Sequence, residues 1–196
     1  MPFFESKRPG KCILFFKFIQ KKGYGMPPSG KSLFWQKVTI VERKRMRKLA
    51  LSDEILMKVD KAARYIGGEV NSVMKDKNAV DIRFAMCFPD VYEIGMSNLG
   101  MMILYNMFNQ REDVWCERLF SPWPDLDKVM REEKIPLFAL ESQEPIRDFD
   151  FLGITIGYEM CYTNILQVLD LSGIPLKSAD RGEDFPIVIG GGACAY

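Results

Sequence analysis

The residues equipped for chemistry in this chain lie in a few short runs. Asp90-Val91-Tyr92-Glu93-Ile94-Gly95-Met96-Ser97-Asn98-Leu99-Gly100 follows an apolar stretch and leads into a helical one. Glycines at 95 and 100 let the backbone turn tightly and let a ligand come close. Ser97 stands where the amides of a helix start would face an anion or an amide oxygen. The same strand–loop–helix pattern also arises for structural reasons alone. Gly190-Gly191-Gly192 carries that ambiguity too: it admits a flat ligand or a nucleotide tail, or it simply ends a strand. Acidic residues are plentiful, among them Asp90, Glu93, Glu141, Glu144 and Glu159. Glu93 and Glu159 facing one cleft would make a carboxylate pair for acid–base work or a hard cation. Helix capping and bonds to loop amides are the plainer use. Trp115, Trp123, Tyr158 and Tyr162 read as core or interface aromatics rather than stacking platforms.

Absences narrow the chemistry further. There is no histidine, which removes the commonest transition-metal ligand and general base. The five cysteines, at 12, 87, 116, 161 and 194, are at least 29 residues apart. They form neither a CxxC nor the CxxxCxxC that holds a [4Fe–4S] cluster. They read as reduced cytoplasmic thiols, with no metal ligands and no catalytic residue assigned. Neither GxGxxG nor GxxxxGK[ST] is present, so a dinucleotide fold of the usual kind has little support. No run approaches the roughly 18 apolar residues of a membrane span. The short apolar run at Cys12–Phe16 is bracketed by Lys11 and Lys17 and lacks a cleavage signal.

The net charge of +1 hides a division. Residues 1–48 carry 13 Lys/Arg against 2 Asp/Glu, and the remainder carries 14 against 24. A basic arm for nucleic acid or anionic lipid is one reading. The plainer one is a disordered basic extension over 1–45 with the folded unit starting at Met46, and with no nucleic-acid or membrane partner.

The elements that position these runs follow from periodicity. Residues 46–80 form a helical lead-in, where Ser52 caps an amphipathic helix through Ile55, Leu56, Val59 and Ala63 that Gly67-Gly68 stops. Residues 81–196 alternate strands and helices. Strands are expected at 82–88, 115–120, 136–140, 151–157 and 187–189. Helices are expected from Ser97, over 125–134, and along Cys161, Ile165, Val168 and Leu169. This is an α/β pattern: a doubly wound, parallel, five-stranded sheet, cut short after its last strand. Ligands of such sheets bind beyond the carboxyl ends of the strands, where strand order reverses. Asp90–Ser97, Thr155–Glu159 and Gly190–Gly192 meet at that edge.

Several longer stretches carry a resemblance. They are Ala63–Ser72, Phe88–Ser97, Glu117–Trp123, Pro136–Ser142, Tyr158–Asn164 and Pro186–Gly192. In order, they resemble the N-terminal region of a bacterial family of cobalamin-binding-domain/radical S-adenosylmethionine (SAM) proteins of clostridial type. The resemblance implies a flavodoxin-like, cobalamin-binding-like fold. A barrel holding SAM and a [4Fe–4S] cluster would follow as its partner in the complete protein. Cobalamin domains carry Asp-x-His-x-x-Gly after the first strand, the histidine ligating cobalt. Here the aligned residues are Asp90, Tyr92 and Gly95, so the resemblance puts a phenol in the ligand position. Family positions usually His, Gln and Pro are Asn98, Gly157 and Ala193. The implied corrinoid site comprises Asp90, Tyr92, Gly95, Ser97, Thr155, Gly190, Gly191 and Gly192. Two functions are therefore expected: a corrinoid-binding module without catalytic activity of its own, or a structural, protein-interaction domain that has lost the cofactor.

Overall fold

The computed structural model describes residues 49–195. The basic extension over 1–45 and the start at Met46 lie outside these residues. Ser52 caps helix α1 (Asp53–Leu56) as expected, its Oγ accepting from the Ile55 amide at 3.4 Å. The helix does not run on to Gly67. The Asp60 amide is taken at 2.8 Å by the Asp125 carboxylate, so the chain turns and restarts as α2 (Ala63–Ile66). Gly67, at φ 59°, ends that second piece in a backbone state that suits glycine.

Four strands build one parallel sheet: β1 (Ile82–Phe88), β2 (Val114–Phe120), β3 (Phe151–Thr155) and β4 (Ile187–Gly191), in the order β2-β1-β3-β4. Helices α3 (Tyr92–Met96) and α4 (Leu99–Asn109) join β1 to β2, α5 (Pro124–Glu133) follows β2, and α6 (Tyr162–Leu171) joins β3 to β4. The register places Phe84, Met86 and Phe151 on one face, where Phe108 of α4 stacks on Phe84 at 4.9 Å. Ala85, Cys87, Leu119, Leu152 and Ile154 point to the other face and meet Leu126, Met130, Ile165 and Val168 of α5 and α6. Burying each such Leu or Ile contributes roughly 1.5–3 kcal/mol. Apolar side chains on both faces explain why β1 reads as a nearly continuous apolar run.

The expected strand at 136–140 is absent, leaving four strands where five were expected. Leu137–Leu140 is apolar because it is buried, not because it joins a ladder. Leu137 donates its amide to Leu171, Ala139 to Glu144 and Leu140 to Arg118, and Gln143 turns the chain at φ 64°. The segment lies along the outer edge of β2 and helps to seal it. Lys75 Nζ donates to the Val114 carbonyl at 2.5 Å. The Asn109 side chain bonds both the N–H and the C=O of Cys116, at 3.0 and 2.9 Å. The Arg118 amide donates to Glu141 at 2.6 Å and its carbonyl accepts from Leu140 at 2.9 Å. Side chains thus do the work of a neighbouring strand. Among the described residues no helix is long and apolar enough to cross a membrane.

Candidate functional site

Strand order reverses between β1 and β3, so the crevice at their carboxyl ends is where this architecture binds ligands. The three expected stretches do come together there. After β1, the Asp90 carboxylate accepts the Val91 amide at 2.7 Å. After β3, the Tyr158 hydroxyl reaches across and donates to the second Asp90 oxygen. This bond, with some burial, raises the phenol to about 12. Asn164 Nδ2 donates to the Pro89 carbonyl at 2.9 Å and spans the same gap. After β4, the Gly191 carbonyl accepts the Ile156 amide at 2.6 Å, and the Cys194 amide donates back to Ile156 at 3.1 Å.

Tyr92 opens α3, but its hydroxyl is not free. It donates to Glu69 Oε1 at 2.9 Å, and the ring meets Phe120 edge-on at 5.5 Å. Burial and the Glu69 carboxylate push its acidity to about 12, so it stays a neutral phenol. Glu69 is in turn held by Arg118 Nη2 at 2.9 Å. Arg118 is wholly buried, its guanidinium over the Tyr105 ring and its Nε 2.6 Å from the equally buried Glu141. Burial drives Glu141 up to about 7 against the pull of Arg118. On the opposite face Glu117, also wholly buried, accepts from Arg83 at 2.7 Å and from the Ser142 amide at 2.8 Å. Sequence reasoning overlooked this network. Its signal was Arg83, Glu117 and Arg118 inside runs that otherwise read as buried strands, since charges so placed must be paired.

The remaining expected residues divide in two. Ser97 does not cap the following helix: Asn98 does, accepting the Met101 amide at 2.9 Å, while the Ser97 hydroxyl donates to Glu93 within its own turn. Gly95 is a packing residue, because a Cβ there would fall 2.2 Å from the Phe120 ring. Gly192, at φ 129°, lies against the Ile156 carbonyl, which a Cβ would meet at 2.4 Å. Thr155, opposite Gly191 in the register, is only partly buried, as is Gly190. A Cβ at Gly191 or Gly157 would meet nothing within 4 Å. Glu93 spends its carboxylate on Arg64 at 2.9 Å and Lys61 at 3.3 Å. Trp115 is buried as expected, whereas Trp123, Tyr158 and Tyr162 are about 40% exposed. Arg64 lies over the Trp123 ring.

A corrinoid can be tested against these residues. They do not supply a cobalt ligand: the phenol of Tyr92 is neutral and engaged, and among the described residues no group of three or more His, Cys, Asp or Glu is arranged for a metal. The cavity between Tyr92, Arg118, Phe120 and Trp123 measures about 30 Å³, room for a water molecule and not for a nucleotide tail. The tips of β3 and β4 do leave open space beside Gly157 and Gly191, where a Cβ would meet no atom within 4 Å.

No curated protein and no solved structure matches the chain. A family model does, from residue 100 to residue 196, taking in Thr155 and Gly190–Gly192 and leaving Asp90, Tyr92, Gly95 and Ser97 outside. The family is described as radical SAM proteins, N-terminal, and the match supports placing this chain among the radical SAM proteins.

Proposed function

We propose that the chain is the N-terminal module of a radical SAM protein and holds a corrinoid by its ring amides, without a protein ligand on cobalt. The cluster and SAM belong to a downstream domain of the complete protein, and this module has no catalytic activity alone. The observation that carries the reading is the open space beside Gly157 and Gly191, next to the partly exposed Thr155, near the point where strand order reverses. Backbone amides and the Thr155 hydroxyl there suit amide groups, which bind without charge. A bound corrinoid supplies methyl-group or electron transfer chemistry, while the chain's own residues orient it.

A second reading, a structural domain with no ligand, is favoured by one observation. Asp90, Tyr92 and Ser97 already satisfy their polar groups within the chain. Titration of the chain with hydroxocobalamin, followed by absorbance, separates the two. Saturable binding at micromolar ligand is the expected result. No change at high micromolar ligand would leave the structural reading in its place.

A further inference from the structure

The crevice where strand order reverses is bridged twice, and the two bridges differ. Asn164, in the first turn of α6, donates from Nδ2 to the Pro89 carbonyl at 2.9 Å and is partly buried. It ties the loop after β1 to the helix after β3. Tyr158 makes the second bridge, from its hydroxyl to Asp90 Oδ2, and the residue is 37% exposed. A hydrogen bond so open to water contributes little, because water can take the place of either partner.

Asp90 keeps its place without Tyr158. Its amide donates to the Phe88 carbonyl at 2.8 Å, and its own carbonyl accepts the Ser121 amide at 2.9 Å. Oδ1 accepts the Val91 amide at 2.7 Å. Oδ2 is then the oxygen turned across the crevice, where its partner among the described residues is the Tyr158 hydroxyl. Tyr158 can leave without disturbing the backbone. Its carbonyl accepts from the Cys161 amide at 3.3 Å and from the Cys161 thiol at 2.8 Å, so the main chain is held while the side chain rotates. Open space adjoins it at Gly157.

We propose that Asp90 Oδ2 accepts a hydrogen bond from the ligand, and that Tyr158 is a latch which holds this place in the free protein and which the ligand displaces. The inference rests on the corrinoid reading above and adds the selectivity of its site. A carboxylate accepts and does not donate, so it selects N–H and O–H groups and repels phosphate and carboxylate oxygens. The ring amides of a corrinoid carry such N–H groups. Exchanging the phenol for an amide leaves Asp90 paired in both states, so its satisfaction within the chain is no obstacle to binding. The latch also weakens binding, because only the unlatched fraction of the protein is competent.

The test is a double-mutant cycle on the affinity for hydroxocobalamin, followed by absorbance on the full 196-residue chain. Tyr158→Phe removes the competing hydroxyl and keeps the ring, so binding should tighten by about tenfold, the scale of one hydrogen bond to a charged acceptor. Asp90→Ala should weaken binding, and in that background Tyr158→Phe should bring no gain. A corrinoid with carboxylates in place of its ring amides should also gain nothing from Tyr158→Phe, and this comparison decides the matter should Asp90→Ala fail to fold. Unchanged affinity in Tyr158→Phe overturns the latch and leaves the corrinoid reading standing. So does a gain that persists without Asp90, or one shared by the carboxylate analogue. No binding of hydroxocobalamin by the parent chain or by Tyr158→Phe overturns the corrinoid reading and the latch with it.

Discussion

The Tyr92 hydroxyl donates to Glu69 across 2.9 Å, so the side chain where the resemblance implies a cobalt ligand is held by the protein itself. Glu69 is the pivot of that arrangement, since its other oxygen accepts from the buried Arg118. The phenol therefore closes the exposed end of a chain of charges that runs inward to Glu141.

Removing the hydroxyl should cost little. In Tyr92→Phe, Glu69 keeps Arg118 as partner, and only one hydrogen bond to a charged acceptor is lost. Urea unfolding should show a loss of about 1–2 kcal/mol. Global unfolding of the variant would mean that Tyr92 organises the network instead of closing it.

Truncating the inner end should cost far more. Glu141→Ala leaves the buried Arg118 with Glu69 alone and takes the acceptor from its Nε and its amide, and breaking a buried pair in this way costs about 3–5 kcal/mol. The pH dependence carries its own sign. Folded Glu141 holds its proton up to about 7, above the ordinary 4.5, so its contribution to stability is complete below pH 4.5 and is lost as pH rises through 7. Relative to Glu141→Gln, which cannot titrate, the parent protein should lose about 3 kcal/mol over that window. Equal slopes of stability against pH in the two proteins would contradict the assignment.

The glycines separate by what surrounds them. Gly191→Ala should leave stability within about 0.5 kcal/mol, since its Cβ meets open space. Gly95→Ala forces a methyl into the Phe120 ring and should cost about 1–3 kcal/mol. Gly192→Ala combines a positive φ with a clash against backbone that cannot rotate away, and should be the worst of the three. Thermal melts of the three variants give the ranking directly, and a different order would contradict it.

Much of this frame was legible in advance, for identifiable reasons. β1 and β3 read as strands because they are buried on both faces, and Ser52 read as a cap because only a short polar side chain serves there. Leu137–Leu140 misled because burial, not ladder pairing, made it apolar, and burial is all that a run of apolar residues reports. Ser97 misled because Asn98, an equally good cap, stands next to it. The charged network was hidden by distance in sequence, Glu69 and Arg118 being 49 residues apart. Composition has no means to show that the segment after α5 folds back to place Glu141 beside Arg118.

The sealed edge of β2 gives a further expectation. Asn109→Leu keeps the helix but leaves the Cys116 N–H and C=O without partners. Stability should fall by about 1–3 kcal/mol, and the Cys116 amide should exchange its hydrogen much faster. Unchanged exchange at Cys116 would show that the Asn109 side chain does not protect the edge.

The most direct measurement of the central claim compares the affinity for hydroxocobalamin of two variants with that of the parent chain. Tyr92→Phe should stay within about tenfold of the parent, the scale of one hydrogen bond, because the phenol touches Glu69 and not cobalt. Gly191→Val should bind at least about tenfold more weakly while folding normally, because its Cβ enters open space and the branched side chain fills the space the ligand needs. The opposite pattern, binding lost in Tyr92→Phe and kept in Gly191→Val, would place the corrinoid on Tyr92 and contradict the account.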